Sequence, residues 1–229
     1  MKNKMYVVCG CKSWNKRIFD EEIKNIEGIW YFIGEKNELT LEVLENLNPK
    51  KIFFFHWSWI VPEQILQKYE CINFHMTDLP YGRGGSPLQN LILHSKKETK
   101  LTAFRMTNEL DAGPVYAKEP LSLQGTAQEI LERSSILAVK MIERIITEQP
   151  KPKEQKGEVV LFERRKPEQS EIPDGLTLEQ MYDFIRMLDG EGYPPAFRKC
   201  GSFRYEYTDA VLYDNCLEAH TRIVPHPET

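Results

Sequence analysis

An amide and an imidazole stand two residues apart at the end of an apolar run, as Asn73 and His75 of Asn-Phe-His. Successive side chains of a strand point to opposite faces, so residues two apart share a face. Attack of an amine on an acyl carbon needs a donor for the oxyanion and a group that takes a proton. The amide and the imidazole suit these two roles, and the spacing predicts that they act together at a strand tip.

A carboxylate, Asp111, comes from the later loop-like segment 108–114. It could hold the orientation of the imidazole, stabilise its charged form, or receive a proton through water, and the residues leave these roles open. Each motif also has a structural explanation, since a strand-end Asn-x-His can bond loop backbone and an Asp before Ala-Gly often forms a turn. The combination favours a catalytic trio.

The composition is that of an ordinary soluble globular protein, with 229 residues, 41% hydrophobic and 28% charged. A net charge of -4 argues against a nucleic-acid partner. Five dispersed cysteines without a Cys-x-x-Cys pair indicate neither disulfide bonds nor a metal site. The apolar run near the start of the chain, residues 5–9, is too short for the core of a signal peptide. No apolar run approaches the roughly 20 residues of a membrane span. We therefore expect a cytoplasmic protein without a membrane partner.

Short apolar runs alternate with amphipathic segments, which predicts an α/β fold with a mostly parallel sheet. Strands are predicted at residues 5–10, 28–34, 51–56, 71–75, 100–106 and 115–121. Capping boxes at Thr126 and Thr177 should begin helices that end near residues 148 and 190. Ligands of such sheets lie beyond the carboxyl ends of the strands, so we expect the site at residues 56–59, 73–86 and 108–114. The first turn lacks Gly-x-Gly-x-x-Gly, which disfavours NAD and FAD.

A polar, proline-bearing stretch at residues 150–157 has no hydrophobic period. Such a stretch is typical of a joint between domains. We therefore predict a catalytic domain at residues 1–150 and a small C-terminal α+β segment at 151–229, made of a linker, a short helix and short strands.

Taken together, the motifs resemble the folate-dependent formyltransferases, whose pattern is Asn-x-His, then Leu-Pro, a Tyr/Arg/Gly loop with a following Pro, and later Leu-Asp-x-Gly. The matching segments lie at residues 73–75, 79–80, 81–87 and 110–113, within a similar region of about residues 50–120. The resemblance implies a Rossmann-like formyltransferase domain that uses 10-formyltetrahydrofolate as the formyl donor. From the residues themselves we expect no metal ligands. It also implies that Asn73, His75 and Asp111 are the catalytic residues.

The same resemblance implies which residues bind the cofactor: His56, Trp57, Ser58, Trp59, Ile60, Glu109, Leu110 and Gly113. The two tryptophans could equally belong to the core. For the acceptor substrate, we expect contacts from the loop residues Tyr81, Arg83, Gly84, Gly85 and Ser86. Glycines there permit close backbone approach to a ligand, although a plain turn before a helix would use the same residues.

The C-terminal segment 151–229, called the tail below, is the part of the sequence that we expect to distinguish between acceptors. Formyltransferases of initiator tRNA carry a substantial further domain that grips RNA, whereas this tail is short and the chain is acidic. Segments 162–172 and 185–197 resemble the part that follows the catalytic domain in nucleotide-sugar N-formyltransferases. Arg164 and Arg165 could pair with phosphate and Tyr193 could stack on a base, with a solvated charge run and a core aromatic as the alternatives.

The expected acceptor is therefore a UDP-linked 4-amino-4,6-dideoxy sugar with an N-acetyl group, from a pseudaminic-acid-type pathway. A dTDP-amino sugar and a non-sugar amine, such as an aminoacyl group or a ribonucleotide, are the enzymatic alternatives. The non-catalytic alternative is a binding module for folate or a sugar nucleotide. The resemblance also allows a homodimer, although the sequence shows no pairing surface.

Overall fold

The computed structural model describes residues 4–225. Its strands are β1 (Met5–Cys9), β2 (Ile29–Ile33), β3 (Lys51–Phe54), β4 (Cys71–His75), β5 (Tyr81–Gly84), β6 (Glu98–Arg105), β7 (Val115–Ser122), β8 (Val160–Phe162), β9 (Ala196–Cys200), β10 (Phe203–Leu212) and β11 (Leu217–Pro225). Its α-helices are α1 (Ser13–Glu21), α2 (Leu41–Leu47), α3 (Glu63–Lys68), α4 (Pro87–Leu93), α5 (Ala127–Glu148) and α6 (Leu178–Arg186). Short 3-10 helices lie at Ile23–Asn25, Lys36–Glu38 and Pro167–Ser170.

A six-stranded sheet in the order β2-β1-β3-β4-β6-β7 forms the centre of the fold. Strand β1 pairs in parallel with β2 and β3, and β3 pairs in parallel with β4. Strand β4 pairs antiparallel with β6. The prediction of an α/β fold with a mostly parallel sheet and a small C-terminal α+β segment is confirmed, and all six predicted strands are present.

A hydrophobic cluster packs on one face of this sheet. It includes Val7 and Cys9 of β1, Phe54 of β3 and Cys71 of β4, together with residues of α2 and α3. The face of β4 that carries Cys71 also carries Asn73 and His75, because side chains alternate along a strand. The polar pair therefore emerges where this apolar layer ends.

By their contacts, the described residues divide into two compact units. The first contains residues 4–84, 99–121 and 132–161, and the second contains residues 85–98, 122–131 and 162–225. The predicted boundary near residue 150 stays a prediction. Within the described part of the chain, every helix is too short or too polar to cross a bilayer.

The second unit contains the sheet β11-β10-β9 and helix α6. The predicted capping box of α6 is present, with Thr177 Oγ1 accepting from Gln180 N–H at 3.2 Å and Gln180 Oε1 accepting from Thr177 N–H at 3.0 Å. At the other end of α6, the buried Arg186 donates to the carbonyls of Leu123 at 2.7 Å and Gly125 at 2.8 Å. Both ends of this helix are therefore held by polar contacts.

Candidate active site

His75, the last residue of β4, is nearly buried, with 8% of its side chain exposed. Its Nε2 lies 2.8 Å from the carbonyl oxygen of Gly82. Since a carbonyl only accepts hydrogen bonds, Nε2 must carry a proton. In the neutral ring, Nδ1 then keeps its lone pair and is the nitrogen that can take up a proton.

Asp111 faces that nitrogen, with Oδ2 3.7 Å from His75 Nδ1. The distance is too long for a hydrogen bond, so the interaction is electrostatic. The carboxylate is 7% exposed, and its Oδ2 accepts the backbone N–H of Gly84 at 2.9 Å. Asp111 itself adopts a left-handed backbone conformation with φ of 52°. The arrangement can stabilise a positive charge on the imidazole.

Strand β5 links these two side chains through its main chain. Its Gly82 carbonyl meets the imidazole, and its Gly84 N–H meets the carboxylate. The φ angles are 74° at Gly82 and 106° at Gly84, conformations that favour glycine. The close backbone approach expected of this loop is therefore made to His75 and Asp111 of the same chain.

Asn73 lies two residues before His75 on β4, on the same face of the strand, and is partly exposed. It pairs with Phe104 of β6, as His75 pairs with Thr102. Among residues 4–225, the amide of its side chain has no hydrogen-bond partner. Its N–H groups are therefore available to a bound molecule on the face that also carries His75.

The loop that carries Asp111 is fixed at two further points. A Cβ at Gly113 would lie 1.7 Å from the carbonyl oxygen of Arg105, so only glycine fits there. Asn108 Nδ2 donates to Oε1 of Glu63 at 2.5 Å, and Glu63 begins α3 directly after the segment 56–62. The two segments expected to bind the cofactor therefore lie side by side, and Gly113 serves close packing.

In the first of those segments, the ring of His56 is partly buried in a polar network. Its Nδ1 accepts from Asn15 Nδ2 at 3.1 Å and its Nε2 lies 3.1 Å from Ser134 Oγ. Asn15 is oriented by its Oδ1, which accepts the N–H of Lys12 at 3.0 Å. Burial, with a smaller contribution from the positive charge of Lys12, lowers the pKa of His56 to about 3. His56 is therefore neutral in the folded protein, and its hydrogen bonds to Asn15 and Ser134 hold the start of the segment 56–62 in place.

The rest of that segment divides between core and surface. Trp57 packs against the hydrophobic cluster, as the core alternative predicted. The ring of Trp59 contacts the ring of Trp57 edge-on, with the two ring centroids 4.8 Å apart. The buried Nε1 of Trp57 has no acceptor among the described residues. Ser58 and Ile60 are exposed, Ile60 to 83%.

Arg83, expected at the acceptor, has its guanidinium directed at the protein. Its Nε and Nη2 donate to Oε1 of Gln155 at 3.1 and 2.9 Å, and its Nη1 donates to Oε1 of Glu109 at 3.2 Å. Glu109 and its neighbour Leu110 are largely exposed, Leu110 to 61%. Tyr81, at the start of β5, is half-buried.

The remaining residues expected at the acceptor lie in the second unit. A Cβ at Gly85 would come within 2.5 Å of Arg164 Cβ, so Gly85 permits close packing of these two segments. Ser86 Oγ accepts the backbone N–H of Arg165 at 3.0 Å. These contacts hold residues 85–86 against residues 164–165.

The guanidinium of Arg165 lies 5.7 Å from the ring centre of Phe184 and donates to the carbonyl of Gln169. Burial lowers the pKa of Arg165. Burial also raises the pKa of Tyr193, which contacts the side chain of Gln89. In this structure both side chains interact with the chain itself. Tyr193 fits the alternative of a core aromatic, whereas Arg165 is partly buried and is not part of a solvated charge run. Their roles in substrate binding stay predictions.

Two residues of the site were not expected from the sequence. Gly82 acts through its carbonyl, which no side-chain pattern reports. Gln155 donates to the carbonyls of Asp111 at 2.8 Å and Gly113 at 2.9 Å, although it stands in the stretch that looked like a linker. Gln155 gave no signal because polar, proline-bearing segments lack hydrophobic period.

Comparison with known proteins assigns both parts of the chain. Residues 30–146 match the family described as Formyl transferase, and residues 167–224 match the C-terminal domain of methionyl-tRNA formyltransferase. A structure titled methionyl-tRNA formyltransferase from Clostridium thermocellum is 43% identical, with a TM-score of 0.93, and the match covers 97% of this chain and 99% of that one.

More distant relatives show how far the likeness reaches. Methionyl-tRNA formyltransferase of Thermodesulfovibrio yellowstonii is 26% identical over 159 residues, which are 66% of this chain and 52% of that protein. This chain thus spans about half the length of that curated relative. A sugar N-formyltransferase from Shewanella is 16% identical with a TM-score of 0.65, covering 87% of this chain and 93% of that one. At this identity the likeness shows the fold alone.

The prediction of a nucleotide-linked amino sugar as acceptor is wrong, and so are the expectations of carbohydrate biosynthesis and of no nucleic-acid partner. The finding that overturns them is the 43% identity over nearly the whole chain to a protein titled methionyl-tRNA formyltransferase. The tail misled because residues 167–224, although few, match the C-terminal domain of that kind of enzyme. The net charge misled because it sums over the chain and does not describe a local surface.

The predicted resemblance to the formyltransferases is confirmed at the level of the family. Its motifs lie within residues 30–146, the region that matches the family, and the solved relative extends the match over both parts of the chain. This chain belongs to the formyl transferase family.

Proposed function

We propose that this protein transfers the formyl group of 10-formyltetrahydrofolate to the amino group of methionyl-tRNA. The observation that carries the proposal is the arrangement of His75, Asp111 and Asn73 on one strand tip and its neighbouring loop, in a chain so similar to a protein titled methionyl-tRNA formyltransferase. The acceptor is the non-sugar, aminoacyl alternative that the sequence left open.

The neutral imidazole of His75 acts as the base through Nδ1. Because Nε2 donates to Gly82, Nδ1 holds the lone pair that receives the proton of the attacking amine. The ring becomes positively charged, and the carboxylate of Asp111, 3.7 Å from Nδ1, stabilises that charge. The ring then gives the proton to the donor nitrogen as the bond between that nitrogen and the formyl carbon breaks, which releases tetrahydrofolate and restores the neutral imidazole. Of the three roles open to Asp111, the distance supports charge stabilisation.

The amide of Asn73 polarises the formyl oxygen. Its N–H groups have no partner among the described residues and share the face of His75. A preorganised donor aimed at an oxygen that gains negative charge is the usual device of acyl transfer. Asn73 is thus the electrophilic partner of the base.

The formyl donor carries an aromatic ring system, and two exposed aliphatic side chains are candidates to contact it. The exposed side chains of Ile60 and Leu110 belong to the two adjoining segments, and both are aliphatic. Pockets for small ligands are lined mostly by apolar side chains with a few polar groups. We assign these segments to the pterin-bearing end of the donor.

Formylation of charged tRNA tests the proposal directly. The purified protein, 10-formyltetrahydrofolate and methionyl-tRNA should give formylmethionyl-tRNA, detected as N-formylmethionine by mass spectrometry after deacylation. Free methionine in place of methionyl-tRNA is the control, and it should give little product. Absence of product from methionyl-tRNA, in an assay where another methionyl-tRNA formyltransferase gives it, would rule the proposal out. We also propose that the protein acts in the cytoplasm, as expected from the sequence.

A further inference from the structure

We propose that Gln155 is a positioning residue that fixes the main chain around Asp111. The inference rests on the proposed formyl transfer, because Asp111 acts there as the carboxylate beside the base. The side chain of Gln155 lies 44 residues further along the chain from Asp111 and is partly buried against its loop.

Both hydrogens of the Gln155 amide are used on this loop. Nε2 donates to the carbonyl of Asp111 at 2.8 Å and to the carbonyl of Gly113 at 2.9 Å. Asp111 has a φ of 52°, which is unfavourable for a residue with a Cβ. Two bonds from one rigid amide, on either side of Ala112, resist relaxation of that conformation.

The oxygen of the same amide holds Arg83 of β5. Oε1 accepts from Nε at 3.1 Å and from Nη2 at 2.9 Å. Arginine only donates and a carbonyl only accepts, so the amide fits in this orientation alone. Gln155 thereby ties the Asp111 loop to the strand whose Gly84 N–H holds the Asp111 carboxylate.

The backbone around Gln155 is held without its side chain. Val115 and Lys153 exchange two backbone hydrogen bonds of 2.7 and 2.8 Å, which fix the segment beside β7. Removing the side chain of Gln155 therefore releases the Asp111 loop and Arg83 but leaves the segment in place. The expected consequence is mainly a displaced carboxylate, since Gln155 itself bonds only to the Asp111 loop and to Arg83.

Kinetics of Gln155→Ala and Gln155→Glu test this role. Gln155→Glu still accepts from Arg83 but cannot donate to the two carbonyls, so it separates the two halves of the contact and also serves if Gln155→Ala does not fold. Both variants should lower kcat by about 10-fold or more, since small displacements of a catalytic group are costly. KM for the donor, which Leu110 of the same loop is proposed to contact, should rise by a smaller factor. The exposed neighbour Glu154→Gln is the matched control and should behave as wild type.

A double-mutant cycle separates positioning from a general structural effect. If Gln155 acts only through Asp111, adding Gln155→Ala to Asp111→Asn should lower kcat no further. Additive losses in the double variant would overturn the proposal. Wild-type kcat in both Gln155→Ala and Gln155→Glu would also overturn it.

A readout without turnover distinguishes this inference from the proposed function. If the wild type forms no product, the function fails, and hydrogen exchange of the Gly84 amide still tests the positioning. That N–H is bonded to Asp111, so it should exchange about 10-fold faster in Gln155→Ala than in wild type or Glu154→Gln. Equal exchange in all three proteins would refute the role of Gln155.

Discussion

The Nε2 of His75 lies 2.8 Å from the carbonyl oxygen of Gly82, and this contact determines which nitrogen of the ring can act as a base. A base at Nδ1 needs the other nitrogen protonated, and the carbonyl ensures that it is. In the proposed mechanism, the carboxylate of Asp111 lies on the side of the ring that becomes charged. The main chain of β5 thus sets the protonation pattern of the site.

Replacing His75 by glutamine should separate structure from catalysis. The amide of Gln can still donate toward Gly82, but no group can take a proton at the position of Nδ1. We expect kcat to fall by about 10²- to 10⁴-fold, the usual contribution of a general base, with little change in thermal stability. Steady-state formylation rates and a melting curve measure both. Turnover within a few-fold of wild type would remove His75 from the proposed mechanism.

Asn73→Asp tests the second catalytic group with an isosteric change. The carboxylate cannot donate to the formyl oxygen and repels the charge that develops there, so kcat should fall by about 10²- to 10³-fold. Because the Asn73 side chain has no partner among the described residues, folding should be preserved. Single-turnover rates with saturating donor measure the effect. An unchanged rate would show that the oxygen is stabilised by another group.

Gly113→Ala should be strongly destabilising. Its Cβ would lie 1.7 Å from the carbonyl oxygen of Arg105, which is backbone and cannot turn aside. We expect a loss of about 3 kcal/mol or more in the free energy of unfolding, measured by denaturant titration, because backbone must move.

The matched control for this change is Gly34→Ala, since an added Cβ there meets only the Phe32 ring at 3.3 Å. A side chain can shift where a carbonyl cannot, so this variant should lose no more than about 1 kcal/mol. Equal losses in the two variants would contradict the packing argument.

The strands and the shared face of Asn73 and His75 could be predicted because hydrophobic period and side-chain alternation are local properties. The part played by β5 could not, because Gly82 and Gly84 act through backbone groups that every residue possesses. Gln155 could not be found either, since its partners lie 42 and 44 residues away and nothing in its polar surroundings points to them. The local sequence pattern therefore predicts that Asn73 and His75 share a face. It does not predict the long-range hydrogen bonds that hold the site in position.

The prediction of a sugar nucleotide as acceptor failed for a different physical reason. The short tail and the net charge of -4 were taken as evidence against RNA, yet both describe the whole chain. Arg165, proposed from the sequence to pair with phosphate, lies against Phe184 and Gln169 in this structure. Recognition of a large substrate depends on the surface that a few residues build, and that surface cannot be read from a sum of charges.

Acid should destabilise the fold through His56, whose pKa is lowered from 6.5 to about 3 by burial. Below the ordinary pKa the unfolded chain takes up a proton that the folded protein does not, so the unfolded state binds more protons. Stability that is fully present above about pH 6.5 is therefore lost as the pH falls toward 3, at up to about 1.4 kcal/mol per pH unit.

His56→Gln should remove this component. The amide can accept from Asn15 and donate to Ser134, the partners of the imidazole, but it does not titrate. Carboxylates such as Glu70 and Asp78, whose pKa values are also shifted, are common to both proteins, so the difference between the two curves isolates His56. Free energies of unfolding measured from pH 7 to pH 5 should fall by about 2 kcal/mol more in the wild type than in the variant. Parallel curves would mean that His56 is solvated and protonated in the folded protein.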